Sequence, residues 1–379
     1  MRAKKKRLIY NSVTFGLVII AFIVCQIMVD NGSMSRSFKG QLIPICCWII
    51  MAVSLNLVVG ISGELSLGHA GFMNIGAFSG IIVSGWLQKG FQMEDPALRL
   101  VLAIVTGALF AGIAGFLIGI PVLRLKGDYL AIVTLAFGEI IRNLIDCLYV
   151  SVDGQDLAFG FLNNKLPGTL LMNGPNGAVS ISKISTFTAG FILVMITLVV
   201  VLNLTNSRSG RAIQAIRDAR IAAESVGINV TRYRMMAFVI SAMLAGAAGA
   251  LYGLNFSTLV ASKFRFDQSI NVLVFVVLGG IGNTLGSAIS ATALTILPEK
   301  LREFGSYRML VYAVVLILVM LATNNPVIRS FLERIKKFIG RAFKKAFAPT
   351  IRFYASIRKK ISNVFRKPKK QDVKGGDAS

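Results

Sequence analysis

Few residues of this sequence combine a reactive side chain with a spacing that supports chemistry. Glu139 and Arg142 are three positions apart inside an apolar stretch, so on a helix they share a face and can form an ion pair. Asp146, one turn further, either extends the pair or marks the outer surface. A carboxylate within a membrane could instead relay protons or sodium ions, as in an ion-coupled secondary transporter. Glu139 is the clearest candidate for that role.

A second group of polar residues surrounds the sequence Gly60-Ile-Ser-Gly63, which interrupts an apolar run. Non-helical backbone at membrane depth occurs where it is buried in protein or lines a solute path. His69 is the sole histidine of the chain, and a lone histidine is more typical of packing or hydrogen bonding than of ligation. A membrane enzyme using Glu64 or His69 is an alternative, disfavoured because no second histidine or paired acid accompanies them. The group consists of Asn56, Glu64, Ser66, His69 and Asn74.

Composition determines which elements carry these residues. The chain is 55% hydrophobic and 15% charged, whereas a soluble domain has about 25% charged residues, so soluble enzymes are excluded. We predict an all-α integral membrane protein with about ten transmembrane helices, because stretches near the ~20 residues needed to span a bilayer recur. The two short segments beside the glycine-rich residues 278–286 predict a tight hairpin or a partly re-entrant pair. The ten segments are 8–29, 42–60, 66–87, 98–120, 128–149, 185–204, 233–256, 268–281, 283–298 and 307–322.

Basic residues predict the topology, since they are enriched in cytoplasmic loops. Five of them within residues 2–7 place the N-terminus in the cytoplasm. Ten spans return the C-terminus to that side, where residues 324–379 carry 16 Lys and Arg against 3 acids. Six spans precede residue 205, so the arginine-rich segment that follows is cytoplasmic, as is the 124–126 loop. The polar stretch 150–184 is then an outer loop.

The chain therefore divides into a permease domain, residues 1–323, and a basic tail, residues 324–379. Apolar residues recur at helical spacing along the tail with Lys and Arg between them, which predicts amphipathic helices on the anionic inner leaflet. The net charge of +24 is thus assigned to the membrane surface and its lipids, and not to a nucleic-acid partner.

Residues 205–231 form a polar segment between two spans and predict a short surface helix that ends at Gly227. Its small and apolar face is predicted from helical spacing. No G-x-x-x-x-G-K-[ST] sequence occurs in the chain, so ATP is not expected to bind here through a P-loop. The segment is instead expected to contact a soluble partner. The predicted face consists of Ala212, Ile216, Ala219, Ala223 and Val226.

Several motifs, in order, resemble the membrane subunits of bacterial branched-chain amino acid ABC importers. They include Leu65-Ser-Leu-Gly-His-Ala-Gly-Phe72 and Gly174-Pro-Asn-Gly177, and the resemblance extends over residues 42–322. The order of the motifs is similar to that of the LivM-type subunit and not its LivH-type partner. Residues 150–172 depart from the pattern as an insertion, and the tail is longer and more basic. The remaining matching segments are 55–60, 124–142, 209–233 and 277–282.

The resemblance implies a non-catalytic permease subunit in the bacterial cytoplasmic (inner) membrane that works by alternating access. It implies four partners: two ABC ATPase subunits, which bind ATP and Mg, a LivH-type second permease, and an extracytoplasmic amino-acid-binding protein. No cofactor is expected on this chain itself. The substrate, a branched-chain amino acid, also follows from the resemblance alone. Related permeases for urea, amides or other small polar solutes are the alternative.

The resemblance and the residue patterns together nominate three sets of functional residues. Reversing the charges of Arg217 and Asp218 together is expected to uncouple transport without preventing membrane insertion. ATPase coupling is assigned to Arg211, Arg217, Asp218, Glu224 and Gly227. The substrate pathway is assigned to Asn56, Ser66, His69, Thr134 and Glu139. Receptor docking is assigned to Asn173, Gly174, Pro175, Asn176 and Gly177.

Overall fold

The computed structural model describes residues 2–31, 35–125, 127–161, 166–301, 305 and 307–324. Each of the ten predicted apolar segments forms a helix, and two short helices occupy the 205–231 segment. The helices are α1 (Arg2–Asp30), α2 (Arg36–Asn56), α3 (His69–Lys89), α4 (Pro96–Val122), α5 (Asp128–Asp146), α6 (Phe187–Asn206), α7 (Arg208–Asp218), α8 (Arg220–Ser225), α9 (Val230–Gly253), α10 (Phe266–Gly279), α11 (Thr284–Lys300) and α12 (Arg308–Asn324).

The chain divides into two compact units, Met1–Tyr312 and Ala313–Ser379. Of the second unit the structure describes only the end of α12. The amphipathic helices predicted for the basic tail therefore lie outside the described residues, as does Lys126 of the predicted 124–126 loop.

By length and composition, 5 of the described helical segments could cross a membrane: Ser37–Ser62, His69–Lys89, Pro96–Val122, Phe187–Asn206 and Val230–Gly253. The helix α5 has 19 residues but carries the charged side chains noted above. The helices α10, α11 and α12 are shorter, with 14, 17 and 17 residues.

Glycines allow α3, α4 and α9 to approach each other closely at the centre of the first unit. A Cβ at Gly76 would overlap the carbonyl oxygen of Gly246, and a Cβ at Gly246 would overlap the carbonyl oxygen of Gly107. Small residues allow backbones to touch in membranes, where packing and not the hydrophobic effect associates helices. These three helices form the centre of the unit, and α2 and α5 pack against them.

The helix α2 does not lead directly into α3. It continues as a π-helical turn, Leu57–Ser62, and reverses at Gly63, whose φ is +77°. An irregular stretch then leads to His69, where α3 begins. We refer to residues 57–68 as the junction.

The glycine-rich residues 278–286 form a tight turn between α10 and α11. The backbones of Gly279 and Gly286 are in direct contact, so neither position has room for a Cβ. The Asn283 side chain accepts a hydrogen bond from Gly286 N at 3.1 Å and caps α11. Two short helices thus meet at a tight turn, a geometry that both predicted arrangements share.

The 150–172 insertion, predicted as loop, contains an antiparallel sheet of order β2-β1-β3, so the all-α prediction is wrong for this segment. The strands are β1 (Leu148–Asp153), β2 (Asp156–Phe161) and β3 (Thr169–Asn173). Val150 and Val152 alternate with polar residues in the sequence and are buried, as is Ser151 between them. Gly154, with a φ of +60°, starts the two-residue turn that pairs Asp153 with Asp156. Alternation followed by such a turn is a hairpin signal that is present in the sequence.

The connections between helices contact each other in two separate groups. Trp86, at the end of α3, donates from Nε1 to the Gln155 carbonyl in the β1–β2 turn at 2.8 Å. Ala178 and Leu259, in the connections that precede α6 and α10, exchange backbone hydrogen bonds of 2.8 and 3.0 Å. The junction belongs to the other group, with the α6–α9 segment and the α10–α11 turn. This grouping agrees with helices that alternate in direction.

Candidate functional site

The polar segment between α6 and α9 is two helices, so the prediction of a single helix that ends at Gly227 is wrong. The Ser207 hydroxyl accepts from Gly210 N at 3.1 Å and caps α7. Ala219, with φ −153° and ψ 83°, separates α7 from α8. Gly227 adopts a φ of +83°, and its N–H donates to the Glu224 carbonyl at 3.0 Å. Such a left-handed glycine ends the second helix as expected.

The break at Ala219 changes which apolar side chains are buried. Ile216 and Ala223 of the predicted face are buried. Ala219 and Val226, predicted on the same face, are exposed, because α8 does not continue the helical rotation of α7. Val226 is 74% exposed and Ile221 is 84% exposed. The segment therefore presents two large apolar side chains outward, a feature that a simple solvated loop does not need.

Arg217 connects α7 to the junction, 157 residues away in sequence. Its Nη1 donates to the carbonyl oxygen of Gly60 at 2.7 Å. Its aliphatic part lies against Gly63, where a Cβ would come within 2.5 Å of Arg217 Cγ. Asp218 Oδ1 lies 2.9 Å from Arg217 Nη2 and orients the guanidinium. Arg217 thus contacts both Gly60 and Gly63 and joins α7 to the π-helical turn.

The other side of Gly60 touches the turn between α10 and α11. Asn56 Oδ1 accepts a hydrogen bond from Gly282 N at 2.9 Å. A Cβ at Gly60 would overlap both Asn56 Oδ1 and Gly282 N. One continuous set of contacts therefore runs from α7 through the junction to the α10–α11 turn.

A buried ion pair provides a second connection to the junction. Arg234 Nε of α9 lies 2.7 Å from Glu64 Oε1, and both side chains are largely buried. Burial raises the pKa of the Glu64 carboxyl, while the charges of Arg234 and Arg220 oppose the shift. Arg220 also pairs with Glu224 along α8 at 3.0 Å. Glu224 thus acts within its own helix, in contrast to Arg217. Arg211 is local too, since its Nη1 donates to the Asn206 carbonyl at 3.2 Å.

The predicted pathway residues around the junction are buried, and two of them form hydrogen bonds between elements. His69 Nε2 lies 2.8 Å from Ser54 Oγ, which joins α3 to α2. Thr134 Oγ1 of α5 accepts from Leu67 N at 3.0 Å. Ser66 is 1% exposed and Asn56 is 1% exposed. In this conformation His69 and Thr134 brace the junction through these hydrogen bonds. The Ser66 hydroxyl has no hydrogen-bond partner among the described residues.

Glu139 belongs to a charge network on α5, as the sequence spacing indicates. Arg142 lies between two carboxylates, with Nε 2.7 Å from Glu139 Oε2 and Nη1 2.8 Å from Asp146 Oδ2. Glu139 Oε1 also accepts from Phe266 N at 3.0 Å and so caps the first turn of α10. This cap joins residues 127 positions apart, and no local sequence signal indicates it.

The predicted docking residues lie at the end of the β2-β1-β3 sheet. Gly174–Asn176 form a 3₁₀ turn directly after β3, which ends at Asn173. Gly174 packs against the Tyr149 ring, and Gly177 approaches the Leu259 backbone too closely for a side chain. Pro175 and Asn176 are exposed between them. The glycines shape this turn, and those two residues are its accessible part.

These features are typical of a multi-pass membrane transport subunit. Its helices are apolar, buried polar side chains hold them together, and a charged helical segment contacts an interrupted span. The family model described as branched-chain amino acid transport system / permease component matches residues 39–321. The chain belongs to this family and is a permease subunit of an ABC importer.

Two similar proteins are named high-affinity branched-chain amino acid transport system permease protein LivM. The chain is 34% identical to the one from Salmonella typhimurium over 340 residues, 81% of this chain and 72% of the relative. It is 34% identical to the one from Escherichia coli K12 over 349 residues, 82% of this chain and 74% of the relative. The permease named LivH from Salmonella typhimurium is 26% identical over 293 residues, 74% of this chain and 91% of the relative. No solved structure matches the chain.

Proposed function

We propose that this permease takes up branched-chain or closely related amino acids, pairs with a LivH-type second permease, and is driven by two separate ATPase subunits. An extracytoplasmic binding protein delivers the substrate to the outer surface. The names of the LivM and LivH relatives support the substrate class and the pairing. The contact between Arg217 and the Gly60 carbonyl is the observation on which the proposed mechanism rests, because it joins the polar segment to an interrupted span.

In this proposal the polar segment seats on one ATPase. Ile221 and Val226 supply exposed apolar contacts, and Arg211 and Glu224 provide charged contacts that set the register. ATP and Mg bind on the partner subunits, and their binding closes the ATPase pair. The resulting displacement of α7 reaches the junction through Arg217, since that side chain holds the Gly60 carbonyl at 2.7 Å. The α10–α11 turn follows through Asn56.

The proposed topology has ten spans with both termini in the cytoplasm of a bacterial inner membrane. The basic N-terminus and the arginine-rich polar segment support it, because positive charge is retained on the cytoplasmic side. The two groups of mutually contacting connections support it as well. Labelling a single cysteine added at Ser225 or at Asn176 with a membrane-impermeant maleimide tests this orientation. We expect Asn176→Cys to be labelled in intact spheroplasts and Ser225→Cys only after permeabilisation.

Assembly and uptake in reconstituted liposomes test the function. The detergent-solubilised chain, produced with its genomic neighbours, should retain P-loop ATPases, and liposomes should take up leucine only with ATP and the binding protein. The double change Arg217→Asp with Asp218→Arg should lower uptake at least about tenfold while the protein still inserts. Arg208→Ala, which removes an exposed arginine from the same helix, is the matched control.

Each outcome separates the proposal from its alternatives. Uptake without ATP, driven by a proton or sodium gradient, would establish a secondary transporter instead, although Glu139 is already engaged by Arg142 and Phe266 N in this structure. ATP-driven uptake of urea or amides in place of leucine would correct the substrate only. Unchanged leucine uptake by the double variant would remove the coupling role from Arg217 and Asp218.

A further inference from the structure

An open cavity of about 380 Å³ lies where α3 ends and α4 begins, on the side of the molecule that bears the sheet. It is lined by Gln88, Gln92, Met93, Glu94 and Arg99. The glutamines and Glu94 are exposed at its rim, and Arg99 is only 3% exposed. Cavities that hold small molecules have volumes of about 300–1,000 Å³, so this one is large enough for an amino acid.

The guanidinium of Arg99 is buried without adequate partners. Its Nη1 makes one long contact, 3.4 Å, to the Met93 carbonyl. Its Nε and Nη2 have no hydrogen-bond partner among the residues that the structure describes. A guanidinium carries five N–H donors and a permanent charge, and a buried charge is normally paired because leaving it unpaired is costly. Neither of these two nitrogens is accessible to solvent, so an anionic group in the cavity pairs with them only when the Arg99 side chain turns outward.

Two further features of the rim support a ligand site. Gln92 has a φ of +50°, a left-handed conformation that is unfavourable for a residue with a side chain and that recurs at binding sites. Glu94 supplies a negative charge beside the same cavity, yet forms no ion pair with Arg99 within the described structure. The site thus presents a positive floor and a negative rim that do not neutralise each other.

We propose that this cavity binds the zwitterionic head group of an α-amino acid on the outer surface of the permease. The carboxylate pairs with Arg99 once its guanidinium turns toward the cavity, since its planar fork matches two oxygens, and the ammonium group pairs with Glu94. The lining is mainly polar, so the site recognises the groups common to all α-amino acids and leaves the side chain in solvent. This inference rests on the proposed function and deepens it, by adding an entry site ahead of the membrane pathway.

Binding of radiolabelled L-leucine to the full chain in phosphatidylcholine nanodiscs tests the site. The wild-type chain should bind leucine saturably, and L-valine and L-alanine should compete within about threefold of each other. Arg99→Gln should weaken binding at least about tenfold, the scale of one lost charge-assisted pair. Glu94→Gln should weaken it less. Lys89→Gln, which removes a charge at the same end of α3 but outside the cavity lining, should bind like the wild type.

Ligand analogues keep the test decisive if Arg99→Gln fails to fold. Isopentylamine lacks the carboxylate and should not displace leucine. The acid 4-methylpentanoate lacks the ammonium group and should displace leucine weakly. It should do so equally well from the wild type and from Glu94→Gln, because it has no group that pairs with Glu94. Absence of saturable leucine binding, or displacement by isopentylamine alone, would overturn the inference. So would loss of leucine binding when phosphatidylglycerol or inorganic phosphate is added, since Arg99 would then serve a lipid or free phosphate.

Uptake measurements separate this inference from the proposed function. If the assembled wild-type importer takes up leucine with ATP and the Arg99→Gln importer does so equally well at low leucine concentration, only the entry site is wrong. If the chain binds leucine through Arg99 but the wild-type importer shows no ATP-driven uptake, the proposed function is wrong and the site stands.

Discussion

The contact between α7 and the junction can be tested by adding one methyl group at Gly63. This residue has a φ of +77°, where a residue with a Cβ costs about 1–2 kcal/mol. The added Cβ would also lie 2.5 Å from Arg217 Cγ, which forces the arginine away from the Gly60 carbonyl. A hydrogen bond to a charged group contributes about 1.5–3 kcal/mol, and we use the lower value because the Arg217 side chain is 40% exposed. Gly63→Ala should therefore destabilise the protein by about 3 kcal/mol.

A double-mutant cycle isolates the part that belongs to the contact. Arg217→Ala alone should cost about 1.5 kcal/mol. In the double variant the hydrogen bond is already absent, so the total should stay near ~3 kcal/mol instead of the additive ~4.5 kcal/mol. Gly154→Ala is the control, since Gly154 has a φ of +60° and an added Cβ there would have no atom within 4 Å. Gly154→Ala should lower the free energy of unfolding by only about 1.5 kcal/mol, the cost of the left-handed backbone conformation.

Thermal unfolding of the purified chain in detergent measures these costs, at roughly 2 °C per kcal/mol for a large chain. We expect Gly63→Ala to lower the melting temperature by about 3 °C more than Gly154→Ala does. Uptake per ATP hydrolysed should fall in Gly63→Ala and remain normal in Gly154→Ala. Strictly additive costs for Gly63→Ala and Arg217→Ala, or equal melting temperatures for the two alanine variants, would refute the contact as the link between α7 and the junction.

Two other substitutions test the packing around the site. Glu139→Ala removes both an ion pair and the acceptor for Phe266 N, and should lower the free energy of unfolding by about 1–2 kcal/mol. Glu139→Gln should lower it less, because the amide oxygen still caps α10. Equal melting temperatures for the two variants would contradict the cap. Gly76→Ala should prevent stable folding, because its Cβ would overlap the Gly246 carbonyl, while Gly16→Ala, with open space around it, should be neutral; the amount of folded protein recovered in detergent distinguishes them.

Local patterns in the sequence predict the secondary elements well wherever the signal lies within a few residues. Apolar segments of near-spanning length predict the ten helices, and the glycine at 227 predicts the end of α8. The helical spacing of Glu139 and Arg142 predicts their ion pair, which the structure shows at 2.7 Å. The sheet is the exception. The alternation at Val150 and Val152 indicates a strand, but the strongly apolar composition of the chain favours an all-helical interpretation, so this short signal is outweighed.

The sequence by itself determined that this is a membrane permease, because hydrophobicity, charge placement and motif order are properties of the chain alone. It also nominated Arg217 and Asn56 as functional residues, but in two unrelated roles. Only the tertiary structure decided that both side chains lie against the same glycine, Gly60. The physical reason is that a hydrogen bond between residues 157 positions apart depends on how helices pack, and neither composition nor periodicity encodes which distant backbone group a side chain will meet.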